Sequence, residues 1–302
     1  MKSVILLCGG TGFLGKHLSR LLDQNNFEVR ILTRHPVKQN QFYWNADKSE
    51  IDERAFDGVD AVINLAGESL SKGRWTSGKK KKIYNSRMNS TRLLVDTLSK
   101  RQQVPVFISS SAIGIYGNSG DQPVDETTSP ASDFLASTCI KWEEEGQKIS
   151  NRAPRVVVIR TGIVLAKNGG ALSPLMLTVK LFAGAPLGKG TQMMSWIHIN
   201  DWCGILLKAI TDSSMNGVYN AVAPHPATNK ELVLQLAKKM RGNFFVPIYV
   251  PAFVLKMVLG EMSIEVLKSA TVSNQKIRQA GFRYLYPSLE ACIQHLSKEL
   301  KV

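Results

Sequence analysis

The residues of this sequence most clearly suited to binding a ligand lie in a glycine-rich turn near the amino terminus. An apolar run at 4–8 leads directly into Gly9, Gly12 and Gly15, and apolar residues at helical spacing follow. Glycines let the backbone approach a phosphate, and the N–H groups at a helix start attract negative charge. This order of strand, turn and helix predicts a site for a dinucleotide pyrophosphate. Its expected contacts are Gly9, Gly10, Thr11, Gly12, Phe13, Leu14 and Gly15.

A basic side chain after the second apolar run bears on which dinucleotide would bind. Thr33 and Arg34 follow the run at 29–32, about twenty residues beyond the last glycine of the turn, where the adenosine ribose is recognised. A carboxylate at this position would bind the ribose 2′-hydroxyl and favour NAD, and none is present here. A guanidinium can instead bind a 2′-phosphate through two parallel hydrogen bonds. We therefore predict NADP(H); the alternative is an exposed arginine that simply closes a strand.

Later segments supply further expected contacts with this cofactor. Small residues end a third apolar run at 61–65 and leave room for the adenine or ribose to pass close to the backbone. Glu68 and Arg74 come next, and they either line the pocket or are exposed loop charges. The expected contacts from these and later strands are Leu65, Ala66, Gly67, Glu68, Arg74, Ser109, Arg160 and Val164, the last on the nicotinamide face.

The segments around these residues alternate between strand-like and helix-like patterns. Short runs rich in Val, Ile and Leu predict strands at 4–7, 29–32, 61–65, 106–109 and 156–160. The intervening patterns predict helices at 15–24, 79–100 and 134–150. Apolar strands that alternate with helices are typical of a parallel sheet covered on both faces. The sequence thus predicts an α/β protein with a doubly wound parallel sheet, the Rossmann fold.

The second half of the sequence predicts a smaller, mainly helical lobe. Glycines and prolines after residue 162 indicate a loop-rich region, followed by a strand at 217–220 and helices at 230–240 and 288–300. We expect residues 1–165 to form the dinucleotide-binding domain, with its sheet completed by part of 195–222. Residues 166–302 would then form a substrate-binding lobe at the carboxyl end of the sheet, where doubly wound proteins bind ligands.

The composition narrows the classes of partner. The 302 residues include 38 basic and 24 acidic side chains, a formal net charge of +14 that suits an anionic ligand. The four lysines at 79–82 are interpreted as a solvated helix face, and without a nucleic-acid motif they give little support to nucleic-acid binding. No apolar run is long enough to span a membrane, so no membrane partner is expected. The scattered cysteines and histidines predict neither disulfides nor a metal site, and they favour a reducing cytoplasm.

Many short motifs occur in the order found in one known family. They include the glycine turn, Leu65-Ala66-Gly67-Glu68, Ser109-Ser110-Ser111-Ala112, Trp142-Glu143, Arg160-Thr161-Gly162 and Ser195-Trp196-Ile197-His198. With them the sequence resembles the extended short-chain dehydrogenases/reductases, and more narrowly the atypical YfcH-like proteins of the epimerase family. The resemblance implies a Rossmann domain with a small substrate lobe. It also implies oxidoreductase or epimerase-like activity on a nucleotide-sugar or another anionic carbonyl compound.

The same resemblance implies an active site from which this sequence departs. The family uses a serine, a tyrosine and a lysine four residues after the tyrosine, and Ser111 matches the serine. Alignment of the helix at 134–150 on Glu143 places Leu135 at the tyrosine position and Cys139 at the lysine position. A leucine cannot transfer a proton, and a neutral thiol cannot supply the charge of a lysine.

Two classes of function therefore stay open. In an enzyme, Ser111 would polarise a carbonyl, and a bound water or Glu68 would supply the proton, provided that burial raises the pKa of Glu68. His198 is a further candidate, although a hydrogen-bonded structural role suits its segment better, and Cys139 is expected to be a small buried side chain. The alternative is a non-catalytic NADPH-binding sensor or regulatory protein, which the missing tyrosine and lysine would also fit.

Overall fold

The apolar runs of the amino-terminal half form one large sheet with helices on both faces. The structure is a computed structural model, which describes residues 2–71, 73–102, 105–167 and 169–300. Its strands are β1 (Val4–Cys8), β2 (Glu28–Thr33), β3 (Gln41–Asn45), β4 (Glu50–Ile51), β5 (Ala61–Asn64), β6 (Val106–Ala112), β7 (Gly120–Val124), β8 (Val156–Thr161), β9 (Ile163–Ala166), β10 (Gly169–Gly170), β11 (Ala183–Gly184), β12 (Met193–Met194), β13 (Trp196–His198), β14 (Gly217–Ala221), β15 (Ala227–Thr228), β16 (Val246–Pro247) and β17 (Ala270–Val272). Its helices are α1 (Phe13–Gln24), α2 (Ser77–Ser99), α3 (Phe134–Gln147), α4 (Leu172–Lys180), α5 (Ile199–Thr211), α6 (Asn229–Arg241), α7 (Ala252–Leu259), α8 (Met262–Leu267), α9 (Gln275–Gln279) and α10 (Leu289–Leu300).

The large sheet has the strand order β14-β8-β6-β5-β1-β2-β3-β4. Every neighbouring pair is parallel except β3 and β4. From β1 the chain continues to β2 and β3 on one side and then crosses to β5 on the other. The carboxyl ends of β1 and β5 therefore open into a crevice, which is where doubly wound sheets bind ligands. The predicted α/β class and Rossmann fold are confirmed.

Both faces of the central strands are buried, which explains why these strands read as continuous apolar runs. Leu7 of β1 faces one side and shares a core with Leu18 of α1 and Trp202 of α5. Leu6 faces the opposite side and shares a second core with Leu94 of α2. All five side chains are fully buried. The sheet is thus held between two helical layers from the first strand onward.

The carboxyl-terminal half builds a further core from smaller elements. In it, Trp196 of β13 packs among side chains of α4, α6 and α10, including Leu172, Leu236 and Leu296. Strand β14 belongs to the carboxyl-terminal half of the sequence but lies at the edge of the large sheet, where it pairs in parallel with β8. The domain boundary expected between residues 165 and 166 stays a prediction.

Several element boundaries differ from those expected from the sequence. The helix expected at 79–100 begins at Ser77, because the Thr76 hydroxyl accepts the Lys79 N–H and caps α2. The helix expected at 134–150 ends at Gln147, and the strand expected at 106–109 continues to Ala112. The pattern gave no indication of β3, because this strand lies towards the edge of the sheet and buries only Trp44.

His198 lies in a buried cluster of aromatic rings. It precedes α5, and its Nδ1 accepts the Asn200 N–H at 3.1 Å, so the ring caps the helix. The ring lies against Tyr286 and His295, and the residue is 1% exposed. Burial, assisted by the nearby His295 and His17, lowers the pKa of His198 to about 3. These contacts favour the structural role over the catalytic one.

This buried histidine is expected to make the fold sensitive to acid. Below about pH 6.5 the unfolded chain binds a proton at His198 that the folded chain does not bind until about pH 3, so stability falls as the pH drops through this window. His198→Asn keeps a capping acceptor without the titration. Between about pH 8 and about pH 5, urea unfolding should show the wild type losing about 2 kcal/mol more than this variant. Exposed His35→Asn should behave like the wild type. The same pH dependence in all three proteins would contradict the assignment.

Candidate functional site

The glycine turn between β1 and α1 is too crowded for side chains at two of its positions. Gly9 has a φ of +80°, and a Cβ there would lie 2.9 Å from the Leu65 carbonyl just after β5. A Cβ on Gly15 would lie 2.4 Å from the Gly9 carbonyl oxygen. The Gly12 N–H donates to that same oxygen at 3.0 Å. The turn and Leu65 therefore meet at the crevice between β1 and β5.

The start of α1 leaves backbone donors without a capping side chain. Gly12 is the N-cap residue, no side chain bonds to the first-turn N–H groups from this position, and the first turn contains no acidic residue. The N–H groups of a first helical turn have no partner within the helix. Together with the helix dipole, they make this end of α1 suitable for an anion such as a phosphate.

A second glycine pair, expected only as part of a loop-rich region, covers the turn. Gly169 and Gly170 form β10, which pairs with β9. A Cβ on Gly169 would lie 2.5 Å from the Phe13 ring, and one on Gly170 would lie 2.7 Å from the Val164 carbonyl oxygen. The hairpin thus brings together Phe13 and Val164, which the sequence analysis assigns to the same cofactor site.

Charged residues from three elements gather where β2 ends. Glu68, which follows β5, bonds to Lys79 of α2 at 2.5 Å. This hydrogen bond, with the charges of Lys79, Lys82 and Arg34, lowers the pKa of Glu68 against the opposing effect of partial burial. Arg34 therefore lies close enough to Glu68 for their charges to interact. Three positive groups around one carboxylate leave the site with a net positive charge.

Two interpretations are corrected by this cluster. The lysines at 79–82 do not all form a solvated face, because the Lys79 side chain is only 13% exposed. The acid–base hypothesis for Glu68 depends on a raised pKa, whereas the ion pair lowers it and the side chain is 41% exposed. Glu68 therefore holds Lys79 in place as a carboxylate. A run of lysines at a helix start, where the dipole disfavours positive charge, is the signal that could have revealed Lys79.

Ser111 lies near the end of β6 in a row of buried polar residues. Across the sheet it pairs with Arg160 of β8, which pairs in turn with Asn220 of β14. The Ser111 hydroxyl donates to Glu143 of α3 at 2.6 Å, and Arg160 donates to both oxygens of that carboxylate, at 2.9 and 2.8 Å. Arg160 also donates to the Tyr116 hydroxyl at 2.9 Å, which donates to Asn220 at 2.8 Å. Sequence reasoning missed the roles of Glu143 and Tyr116, because only the pairing of β6, β8 and β14 brings these side chains together.

Four expected cofactor contacts lie elsewhere or are already engaged. Arg160 directs its guanidinium into the buried network. The Ser109 side chain is buried against α3, and Thr33 is buried at the end of β2. Arg74 lies beside Gly260, between α7 and α8. For these residues a contact with a cofactor stays a prediction, and their side-chain positions add no support to it.

The positions aligned with the tyrosine and the lysine hold groups that exchange no proton at neutral pH. Leu135 packs against Gly114. Cys139 is buried beside Ser111, and its burial, together with the Glu143 carboxylate, raises the pKa of the thiol to about 11. None of the seven tyrosines in the sequence has a lysine four residues later. Proton transfer at this site would therefore have to use other groups.

Comparison with known sequence families settles the family. The profile of the NAD dependent epimerase/dehydratase family matches residues 5–221, which extend from β1 to the end of β14. This chain belongs to that family. A second profile, a domain of unknown function named DUF1731, matches residues 250–296. The resemblance to atypical extended short-chain dehydrogenases/reductases of the epimerase family is thereby confirmed.

Individual relatives cover nearly the whole chain. The chloroplastic SDR39U1 homolog of Arabidopsis thaliana, an epimerase family protein, is 36% identical over 293 residues, which are 93% of this chain and 83% of the relative. Epimerase family protein YfhF of Bacillus subtilis is 35% identical over 304 residues, covering 98% of this chain and 99% of the relative. The crystal structure of human epimerase family protein SDR39U1 (isoform 2) with NADPH matches with a TM-score of 0.87 at 31% identity, covering 98% of this chain and 99% of that chain.

The crowding at Gly15 predicts a measurable cost for one added methyl group. In Gly15→Ala the new Cβ would lie 2.4 Å from the Gly9 carbonyl oxygen, a backbone atom that cannot retreat without opening the turn. We expect the free energy of unfolding, measured in urea, to fall by about 1–3 kcal/mol. Gly78→Ala in α2 is the matched control, because its Cβ would come no closer than 3.9 Å to the nearest atom. Equal stability of the two variants would show that the turn is not crowded.

Proposed function

We propose that this protein binds NADP(H) in the crevice between β1 and β5 and acts as an oxidoreductase or epimerase-like enzyme without the usual tyrosine–lysine pair. The observation that carries the proposal is the cluster of Arg34, Glu68, Lys79 and Lys82 together with the uncapped start of α1. The pyrophosphate would lie on the N–H groups of α1. The adenosine ribose would then lie at the end of β2, next to the cluster.

The charges near Arg34 suit a 2′-phosphate better than a ribose hydroxyl. A phosphate monoester carries a charge of about −1.5 to −2, which several cations can balance. Lys79 and Lys82 lie near the start of α2, where the dipole disfavours positive charge and the first turn contains no acidic residue. A bound phosphate would offset that repulsion. The NADPH in the human SDR39U1 structure, a relative at 31% identity, supports the same choice for this chain.

The buried row around Ser111 would orient the substrate. Bound NADPH would supply a hydride to a carbonyl carbon, and a bound water would supply the proton that its oxygen gains. Because the Ser111 proton is directed at Glu143, this hydroxyl does not donate to a carbonyl, contrary to the expectation from the sequence. Its oxygen still has lone pairs that can accept from a substrate hydroxyl. Arg160 fixes the Glu143 carboxylate through two hydrogen bonds, which holds the Ser111 O–H in one direction. In this proposal Ser111 contacts the substrate, and Glu143 is a positioning residue.

The substrate would be a small anionic molecule, and a nucleotide-sugar is one candidate. The net charge of +14 favours such molecules by attracting them to the surface. The family resemblance points in the same direction. Four cysteines, at 8, 139, 203 and 292, are buried and free, which suits a reducing compartment such as the cytoplasm.

A second function, that of a non-catalytic NADPH sensor or regulatory protein, is favoured by the residues at the aligned catalytic positions. Leu135 and Cys139 stand at the positions of the tyrosine and the lysine, and the Ser111 proton is taken up within the buried network. A protein of this kind would bind the cofactor and have no catalytic activity. The two functions differ in whether bound NADPH is ever oxidised.

Removal of the Arg34 guanidinium is expected to weaken the binding of NADPH much more than the binding of NADH. A charge-assisted hydrogen bond contributes about 1.5–3 kcal/mol, so Arg34→Ala should raise the Kd for NADPH by about tenfold or more and leave NADH nearly unchanged. Titration calorimetry gives both constants. Lys48→Ala, at an exposed site distant in sequence from the turn, is the charge control. Equal losses of affinity for NADPH and NADH would contradict the proposal that this cluster binds the 2′-phosphate.

Turnover experiments separate the enzyme from the sensor. NADPH fluorescence is followed across a panel of carbonyl compounds and nucleotide-sugars. For an enzyme, Ser111→Ala should abolish turnover, whereas Glu68→Gln should weaken NADPH binding and leave kcat within about threefold, because Glu68 holds Lys79 and transfers no proton. Loss of kcat in Glu68→Gln would restore its acid–base role. Tight NADPH binding without oxidation across the panel would favour the sensor.

A further inference from the structure

The carboxyl-terminal half exposes a strip of apolar side chains that the proposed function does not use. We define this apolar strip as residues 244–258 together with Leu181 and Phe182 beside them. Phe244 is 81% exposed and Phe253 is 73% exposed. Further exposed members are Phe182, Val246, Ile248 and Met257. A group of this size goes well beyond the single exposed apolar side chains found on ordinary protein surfaces.

Backbone pairing makes the strip continuous. Strands β11 and β16 pair in parallel, and the Val246 and Ile248 N–H groups donate to the carbonyls of Phe182 and Gly184. Helix α7 begins a few residues later, and Leu255 is its one buried side chain. A helix that is apolar on nearly all sides is normally covered. The strip therefore exposes surface that a partner would be expected to bury.

Phe182 is held outward in an unusual conformation. It follows α4 with a φ of +59°, a left-handed conformation that bulky residues rarely adopt and that glycine usually supplies at this point. The Arg241 guanidinium lies 4.2 Å from the centre of the Phe182 ring and donates to the Lys180 carbonyl at 2.7 Å. The ring and the cation are thus presented side by side at the surface.

Basic residues predominate in the segments that form and flank the strip, and Glu231 and Glu261 lie directly outside these segments. Residues 172–190 and 232–260 contain no aspartate or glutamate. Their basic residues are Lys180, Lys189, Lys238, Lys239, Arg241 and Lys256. Apolar side chains bordered by lysine and arginine are the pattern of surfaces that lie on anionic lipid headgroups.

We propose that the apolar strip lies on the surface of a bilayer that contains anionic lipids. A second copy of this chain fits poorly, because two such surfaces would bring like charges together. The stretch from Val246 to Tyr249 is exposed at every residue. Fluid lipid can adapt to exposed apolar side chains in any arrangement, whereas a protein partner would need a surface of matching shape.

This proposal revises the expectation that no membrane takes part. That expectation rests on the length of a spanning segment, and among the described residues no helix is both long and apolar enough to cross a bilayer. Attachment to the surface needs no such segment, because side chains enter only the headgroup region and the nearby acyl chains.

Vesicle sedimentation of the full chain tests the proposal. The protein is mixed with vesicles of phosphatidylcholine alone or of phosphatidylcholine with phosphatidylglycerol. We expect about tenfold more protein to sediment with the anionic vesicles, and added salt to release it. Phe244→Ser with Phe253→Ser, and separately Lys238→Glu with Lys239→Glu, should each lower the bound fraction by about tenfold.

Matched variants outside the strip serve as controls. Val37→Ser replaces an 82% exposed side chain, and Lys48→Glu reverses an exposed charge; both should bind like the wild type. Thermal unfolding should be unchanged in the serine variants and in Lys48→Glu, because the replaced side chains are exposed. In Lys238→Glu with Lys239→Glu a small loss of stability is expected, because both lysines lie in the last turn of α6, where the helix dipole favours positive charge. Absence of sedimentation with anionic vesicles would overturn the proposal. A loss of vesicle binding in the controls equal to that in the strip variants would overturn it too. A dimer that Phe253→Ser dissociates, or binding to polyglutamate without binding to vesicles, would also overturn it.

Discussion

The close contact between the β1–α1 turn and the end of β5 is the constraint on which the rest of the structure depends. Gly9 leaves no room for a Cβ beside the Leu65 carbonyl, and Gly15 leaves none beside Gly9. Because these backbones touch, α1 begins directly over the crevice. Leu18 and Leu22 then anchor the helix in the core against β1. The packing that stabilises the sheet is therefore the same packing that places the first-turn N–H groups of α1 at the crevice.

Electrostatics divides the crevice into two parts with different properties. At the end of β2, Arg34, Lys79 and Lys82 outnumber Glu68, so this part attracts an anion. At the end of β6, Glu143 and Arg160 balance each other within a buried network. A buried ion pair adds little to stability compared with apolar packing, because both charges lose their hydration. What this pair provides is a fixed direction for the Ser111 hydroxyl.

Patterns within one segment predicted the fold and the glycine turn well, whereas contacts between distant segments were not predictable. The strands of the parallel sheet were evident because both of their faces are buried, and β3 was missed because it buries one side chain only. Arg34 could be proposed for the site because its distance from the glycine turn is characteristic of the fold. The burial of Lys79 depends on Glu68, and the engagement of Arg160 depends on Glu143. Neither partner can be identified until β5 and α2, or β8 and α3, are placed side by side.

A crystal structure of the protein grown with NADPH tests the central claim most directly. The account predicts that the pyrophosphate lies within hydrogen-bonding distance of the Phe13 and Leu14 N–H groups, with the 2′-phosphate between Arg34 and Lys79. A nucleotide bound elsewhere, or one whose 2′-phosphate faces solvent away from these two side chains, would contradict it.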